Sequence, residues 1–342
     1  MCSMGFPVTV VRSGRAFRRS PRPDSFPLLR VVFDVVQPVE FRSVESTWVW
    51  RGSMRLSAKR RDTWSTILPA ADARRLERVT IDGDVFEVVR MGRGEPLVLV
   101  PGLAGSWKLV APLARRLARD YEVVSYSLQG DRLRGRTGSR GRHADVGGHA
   151  ADLAALIGGL GLECPAVMGV SFGAAVALEL AAEHPGRLSS LILQGVEERF
   201  RATLGSKVAL HVLERYPLPA NSPFLNQFLN LLYGTKPEPG PRTEFVVDSI
   251  WATPQAVMAQ RLRQLQQFDI SDRLWRIDVP TLVLAGAKDA IIPARRQQGL
   301  AQKISGARFE SIEGAGHIGF VTHADAVVRQ VRDHLQRVKA SV

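Results

Sequence analysis

The sequence predicts an α/β fold, in which helices cover both faces of a doubly wound, mostly parallel sheet and a helical lid insertion interrupts the chain. From residue 76 onwards, short apolar runs alternate with amphipathic helical patterns. This alternation is typical of parallel strands joined by crossover helices. It stops only over residues 197–276, which contain helix-like or irregular segments. We therefore expect a core of residues 76–196 and 277–342, with an insertion at 197–276.

Eight runs with strand character predict the sheet. The first two, residues 76–81 and 85–91, are joined at Asp82-Gly83, a dipeptide that favours a hairpin. The later runs are short and mostly apolar, as in strands that are buried on both faces. They are residues 96–100, 121–128, 166–170, 188–196, 281–286 and 307–312.

Apolar stripes at helical spacing predict helices between these strands. The clearest stripes are Leu109, Val110, Leu113 and Leu117; Leu153, Leu156, Ile157 and Leu160; and Val327, Val328, Val331 and Leu335.

The insertion is rich in apolar side chains that can close over a site as a lid. These include Val208, Leu210, Leu213, Phe224, Phe228, Leu231, Leu232, Phe245 and Trp251. The alternative is that they only attach the insertion to the sheet.

Residues 1–75 show no sustained helical or strand periodicity, and they carry most of the net charge of +13. They hold 14 of the 46 Lys and Arg residues but only 6 of the 33 Asp and Glu residues. We expect a flexible or disordered basic N-terminal arm. Two alternatives stay open: Met54 is the true first residue, or the segment is a targeting or anionic-surface-binding sequence.

Composition excludes several classes of protein. Cys2 and Cys164 are too few for a disulfide framework or a zinc cluster, and they favour a cytoplasmic protein. No apolar run reaches the roughly 18 to 20 residues that span a bilayer, so no membrane span is expected. Because the basic excess is mainly N-terminal, we expect no nucleic-acid partner; the expected partner is a small-molecule substrate. Nucleic-acid binding through the arm is the alternative.

Ser171 is the candidate nucleophile. It lies in Gly169-Val170-Ser171-Phe172-Gly173, after an apolar run and before a helical stretch. A strand that turns abruptly into a helix leaves no room for side chains two residues either side of the turn, which explains Gly169 and Gly173. The helix that follows directs its amides and positive dipole end at the serine oxygen.

A serine hydroxyl needs a base to accept its proton, and His317 is the candidate among seven histidines. It lies in Gly314-Ala315-Gly316-His317-Ile318-Gly319, just after the last predicted strand. The glycines permit this loop to reach across the carboxyl ends of the sheet.

Asp289 is the candidate acid that orients the base, because it directly follows the predicted strand 281–286. Asp269, Asp272 and Asp278 precede that strand and belong at its opposite end. The next candidates are Glu197 and Glu198, which follow the preceding strand.

The order Ser171, Asp289, His317, each after its own strand, resembles the serine-nucleophile branch of the α/β-hydrolase family over about residues 76–340. The resemblance implies an oxyanion hole formed by the backbone amides of Phe172 and Leu103. It also implies acyl-enzyme chemistry that needs neither a metal nor an organic cofactor.

The chain departs from the family pattern at two places. Pro101-Gly102 stands where the family usually has His-Gly, and Ser127-Leu128-Gln129-Gly130-Asp131-Arg132 stands where Asp-x-Arg-Gly-His-Gly is common. The second departure continues into an arginine-rich loop, residues 130–142. This loop is either solvated or contacts an anionic group of the substrate.

We therefore expect a serine hydrolase that cleaves an ester or related acyl bond of a small, apolar substrate. The alternatives are an acyltransferase or a carbon-carbon bond hydrolase with the same triad, or a non-catalytic ligand-binding member of the fold.

Overall fold

A computed structural model describes residues 76–81, 83–128, 145–216, 218 and 222–341. The predicted N-terminal arm, residues 1–75, and the basic loop, residues 130–142, lie outside the described residues.

The described residues form an eight-stranded sheet in the order β1-β2-β4-β3-β5-β6-β7-β8. Strand β2 is antiparallel to both of its neighbours, and every other pair is parallel, which confirms a mostly parallel sheet that begins with a hairpin. Each strand lies within two residues of its predicted bounds. The strands are β1 Leu76–Ile81, β2 Asp84–Met91, β3 Pro96–Val100, β4 Glu122–Tyr126, β5 Ala166–Val170, β6 Ser190–Gln194, β7 Thr281–Gly286 and β8 Arg308–Ile312.

Helices pack on both faces of this sheet, as predicted. In chain order they are α1 Trp107–Leu117, α2 Val146–Gly159, α3 Phe172–Glu183, α4 Leu204–Arg215, α5 Pro223–Tyr233, α6 Pro241–Trp251, α7 Gln255–Gln267, α8 Ala294–Lys303, α9 Gly319–Thr322 and α10 Ala324–Ala340. Helices α1 and α10 share one apolar core with strand residues such as Leu97 and Leu99. Helices α2, α3 and α8 share the other with Val98 and Val100. Successive residues of β3 thus point into opposite cores, so a strand of this sheet is buried on both faces and apolar at every position.

Helices α4 to α7 occupy the predicted insertion, between β6 and β7, and a 3-10 turn at Ser271–Arg276 follows them. Helices α5, α6 and α7 contribute Leu229, Val246 and Met258 to the core beside α1. Helix α4 has no buried residue. The insertion is therefore anchored by its later helices.

His334 on α10 is a buried histidine beneath the sheet. Its Nε2 lies 2.8 Å from Ser190 Oγ, and that hydroxyl donates to the Pro280 carbonyl at 3.1 Å. Burial, helped by the nearby positive charges of Arg308 and Arg337 and opposed by the Pro280 carbonyl, lowers the pKa of His334 from 6.5 to about 4. The folded protein therefore keeps this imidazole neutral.

We expect His334→Gln to flatten the acid dependence of stability. The unfolded chain takes up a proton near pH 6.5 and the folded chain only near pH 4, so this stabilisation is fully present above pH 6.5 and is lost between those values. Urea unfolding across this range should show a steeper decline in the free energy of unfolding for wild type than for His334→Gln. Equal slopes would contradict the assignment.

Candidate active site

Ser171 occupies a strained turn between β5 and α3, with φ 54° and ψ −119°. A positive φ is unfavourable for a residue with a side chain, so the surroundings must impose it. The Ser171 amide donates to the Gln194 carbonyl at 2.7 Å, and the Ser171 carbonyl accepts from the Ala174 amide at 2.9 Å.

The two flanking glycines fit because the backbone approaches them closely. A Cβ at Gly169 would lie 2.3 Å from the Gly173 carbonyl oxygen, and a Cβ at Gly173 would lie 2.4 Å from the Pro101 carbonyl oxygen. Either side chain would collide with backbone. The same close packing brings the end of β3 to the serine.

His317 links Ser171 to Asp289. Its Nε2 lies 2.9 Å from Ser171 Oγ, and its Nδ1 lies 2.9 Å from Asp289 Oδ2. With the Nδ1 proton donated to the carboxylate, Nε2 carries the lone pair that faces the serine hydroxyl. The structure thus brings together the three residues that the sequence singled out.

A glycine beneath the imidazole makes room for it. Gly195, at φ 76°, follows β6, and a Cβ there would lie 2.8 Å from His317 Cε1. The His317 loop is packed equally closely on its other side, where a Cβ at Gly316 would lie 2.2 Å from the Tyr233 carbonyl carbon. These contacts leave little freedom for the ring.

Four hydrogen bonds hold the Asp289 carboxylate. Its Oδ1 accepts from the amides of Ile291 and Ile292, each at 2.9 Å, and its Oδ2 faces His317 and Gln297. Burial favours the protonated acid, but the charge that His317 can carry and these hydrogen bonds outweigh it, so the pKa of Asp289 is lowered. The residue is an ionised partner for the histidine.

The two alternative acids are engaged elsewhere. Glu197 Oε1 lies 3.3 Å from Arg296 Nη1, and Glu198 pairs with Lys303. His317 therefore faces Asp289 and not the carboxylates after β6.

Gln297 is a site residue that the sequence analysis missed. It is fully buried on α8, its Nε2 donates to Asp289 Oδ2 at 3.1 Å, and its Oε1 accepts from the Gly195 amide at 2.9 Å. It thereby joins the carboxylate to the backbone beneath the imidazole. No local pattern marks this glutamine, because its partners lie in the segments that follow β6 and β7.

The two predicted oxyanion donors come from different segments, the turn after β3 and the start of α3. Phe172 is the buried first residue of α3, and Leu103 lies in a turn closed by the Gly105 amide, which donates to the Gly102 carbonyl at 2.8 Å. Within the described loops, turns and caps, neither the Phe172 nor the Leu103 amide donates to a backbone carbonyl. Their role as donors stays a prediction.

A cavity of about 400 Å³ opens onto Ser171 and His317, and the insertion supplies much of its apolar wall. Of the predicted lid residues, six line it: Leu213, Phe224, Phe228, Leu231, Leu232 and Trp251. Val208, Leu210 and Phe245 do not, since Val208 is 49% exposed and Phe245 packs into the core.

The described part of the chain contains no group of three His, Cys, Asp or Glu side chains that could hold a metal ion. None of its helices combines the length and the apolar character needed to cross a membrane.

Two of the relatives found among known proteins are hydrolases by name. The chain is 32% identical over 205 residues to a pimeloyl-[acyl-carrier protein] methyl ester esterase of Neisseria meningitidis, covering 54% of this chain and 75% of the relative. It is 30% identical over 271 residues to a protein of Variovorax paradoxus named as carbamate hydrolase RutD, covering 75% and 97%.

A solved structure and a family match agree with these relatives. A thermophilic esterase from Thermogutta terrifontis superposes with a TM-score of 0.66 at 25% identity, covering 77% of this chain and 98% of the other. The family described as alpha/beta hydrolase fold matches residues 95–324, more than half of the chain. The protein therefore belongs to the α/β-hydrolase family and is a hydrolase.

Proposed function

We propose that this protein is a serine esterase that cleaves carboxylic esters carrying an apolar chain, through an acyl-enzyme on Ser171. The observation that carries the proposal is the hydrogen-bonded series Ser171, His317, Asp289 at the opening of an apolar cavity. The esterases among the similar proteins support the choice of an ester.

The proposed first half-reaction forms the acyl-enzyme. His317 Nε2 accepts the hydroxyl proton as Ser171 Oγ attacks the ester carbonyl carbon, and Asp289 stabilises the imidazolium that results. The amides of Leu103 and Phe172 stabilise the negative charge on the carbonyl oxygen. His317 then gives the proton to the leaving alkoxide oxygen, so the alcohol departs as the carbon-oxygen bond breaks.

The second half-reaction repeats these steps with water. His317 accepts a proton from water, whose oxygen attacks the acyl carbon, and it returns that proton to Ser171 Oγ as the acid leaves. Each group ends in its starting state.

Substrate preference follows from the cavity wall. A volume of about 400 Å³ is within the range of small-molecule sites, and its apolar lining favours a hydrocarbon chain. We propose that helices α4 to α7 act as the lid that encloses this chain, because six of the nine apolar insertion residues named above face it.

Ser171→Ala should abolish ester hydrolysis because no other group takes the place of the attacking oxygen. We expect kcat to fall by about 10⁴- to 10⁶-fold and labelling by a fluorophosphonate probe to disappear. Ser206→Ala is the matched control, since Ser206 lines the same cavity but donates to the Thr203 carbonyl. Equal labelling of wild type and Ser171→Ala would overturn the proposed function.

Gln297→Leu should reduce turnover through Asp289. The substitution removes one hydrogen bond from the carboxylate and leaves the buried Gly195 amide without its acceptor. We expect kcat to fall about tenfold with little change in KM, the effect of losing the one hydrogen bond that Gln297 gives to the carboxylate. Gln298→Leu, the exposed neighbour on α8, is the control. Indistinguishable kinetics of the two variants would show that Gln297 has no part in orienting the acid.

The value of kcat/KM should rise with acyl-chain length up to a limit that the lid residues set. For wild type we expect a rise of about fourfold per added methylene until the cavity is filled, from a transfer free energy of about 0.8 kcal/mol. Ala209→Phe narrows the cavity and should move the optimum to shorter chains, while Val208→Phe, on the exposed side of α4, should not. A panel of p-nitrophenyl esters measures this, and a wild-type preference for acetate would contradict the lid.

A further inference from the structure

Arg261 on α7 is a buried cation in the insertion, with 1% of its surface exposed. Its Nη1 donates to the Leu103 carbonyl at 2.9 Å, and its Nη2 donates to the Leu128 carbonyl at 3.2 Å. Burying a guanidinium costs free energy unless its N–H groups donate hydrogen bonds. The buried position of Arg261 therefore requires acceptors at fixed places around it. One of the two carbonyls belongs to a predicted oxyanion donor residue.

The insertion contacts two successive carbonyl groups of the turn that carries the Leu103 amide. Thr253 Oγ1 donates to the Ala104 carbonyl, directly after the Leu103 carbonyl that Arg261 engages. Both side chains come from residues between β6 and β7. The insertion therefore contacts this turn in addition to the core, which reaches it through the Leu128 amide and the Gly105 carbonyl.

Gly105 shows how closely the guanidinium lies against the turn. Gly105 has φ 68°, and a Cβ there would be 2.0 Å from Arg261 Nη1. The absence of a side chain at this position serves both the backbone conformation and the approach of the arginine.

The same helix lines the cavity proposed to take the substrate chain. Met258, Leu262 and Leu265 on α7 face the cavity at spacings of four and three residues, while Arg261 points to the turn. Helix α7 thus touches both the chain-binding wall and the predicted oxyanion hole.

Helix α7 also reaches the second predicted donor. Gln264 Oε1 lies 3.2 Å from His149 Nε2, and the His149 ring packs edge-on against the Phe172 ring with centroids 5.2 Å apart. Both residues whose amides are predicted to bind the oxyanion are therefore packed against groups that α7 holds.

From these contacts we propose that Arg261 is a positioning residue, which aligns the Leu103 amide for the oxyanion through its hydrogen bond to the Leu103 carbonyl. The proposal rests on the function proposed above, and it assigns to the insertion a part in turnover besides chain binding. A residue that positions the Leu103 amide stabilises the oxyanion of the transition state more than it stabilises the bound ester. Its loss should therefore lower kcat and leave KM nearly unchanged.

The test compares Arg261→Met, Arg261→Lys and the control Arg263→Met. Arg263 is on the same helix, is 53% exposed and pairs with Glu214. For Arg261→Met we expect kcat per fluorophosphonate-titrated site to fall about 10²-fold, as for small misplacements of catalytic geometry. Arg261→Lys should recover part of this loss, because an ammonium can still reach one carbonyl.

A trifluoromethyl ketone with the chain of the preferred ester separates positioning from folding. The adduct of this ketone with Ser171 carries an oxyanion. For Arg261→Met, the Ki of the ketone should therefore rise in parallel with the fall in kcat. For Arg263→Met, the Ki should stay unchanged. A lower melting temperature with wild-type kcat and Ki would overturn the proposal.

A second variant keeps the test decisive where Arg261→Met does not fold. Thr253→Val removes only the hydroxyl that donates to the Ala104 carbonyl, and it should lower kcat about three- to tenfold and raise the ketone Ki equally. Unchanged values for Thr253→Val would then overturn the proposal. Failure of the proposed function is seen separately, as ester hydrolysis that survives in Ser171→Ala.

Discussion

The backbone conformation of Ser171 is the constraint on which the rest of the site depends. A residue with a side chain at φ 54° and ψ −119° costs on the order of 1–3 kcal/mol, so its neighbours must leave no alternative. The turn is fixed by hydrogen bonds to Gln194 and Ala174, and Gly173 is pressed against the Pro101 carbonyl. That last contact ties the end of β3, and hence the turn after it, to the serine. The packing that strains the nucleophile thus places the start of the predicted oxyanion turn, and Arg261 and Thr253 of the insertion contact its later peptides.

Local patterns in the sequence were sufficient to predict the sheet. They were also sufficient to predict that three candidate residues lie at one edge of it. Each apolar run is short enough to be a buried strand, and Ser171, Asp289 and His317 each follow a different one. Because those strands are parallel, their carboxyl ends meet, and residues far apart in the chain become neighbours. Their hydrogen bonds are what such a sheet permits. The catalytic roles of the three residues stay predictions, and Ser171→Ala tests that of the nucleophile directly.

Gln297 and Arg261 were beyond the reach of the sequence for a physical reason. Gln297 meets the Gly195 amide 102 residues away, and Arg261 meets the Leu103 carbonyl 158 residues away. Periodicity indicates which side of a helix is buried, but it does not identify the polar partner on the other side. The same limit explains Val208, whose apolar character suggested a lid contact although the orientation of α4 leaves it half exposed. Apolar residues are predicted as a class, whereas a buried polar residue depends on one partner.

The presence of an arginine at position 261 is hard to explain by stability alone. Replacing a buried charge with an apolar side chain of similar volume is often neutral or stabilising, because the charge must be taken out of water. A planar guanidinium does something an apolar side chain cannot, since its fixed fork spans two carbonyls on different segments, those of Leu103 and Leu128. Leu128 also donates its amide to the Gly105 carbonyl, so the two segments are already adjacent. Under the proposal, the arginine adds orientation and not attachment, because the Leu103 amide is a predicted oxyanion donor and such a donor must be aimed at the developing charge.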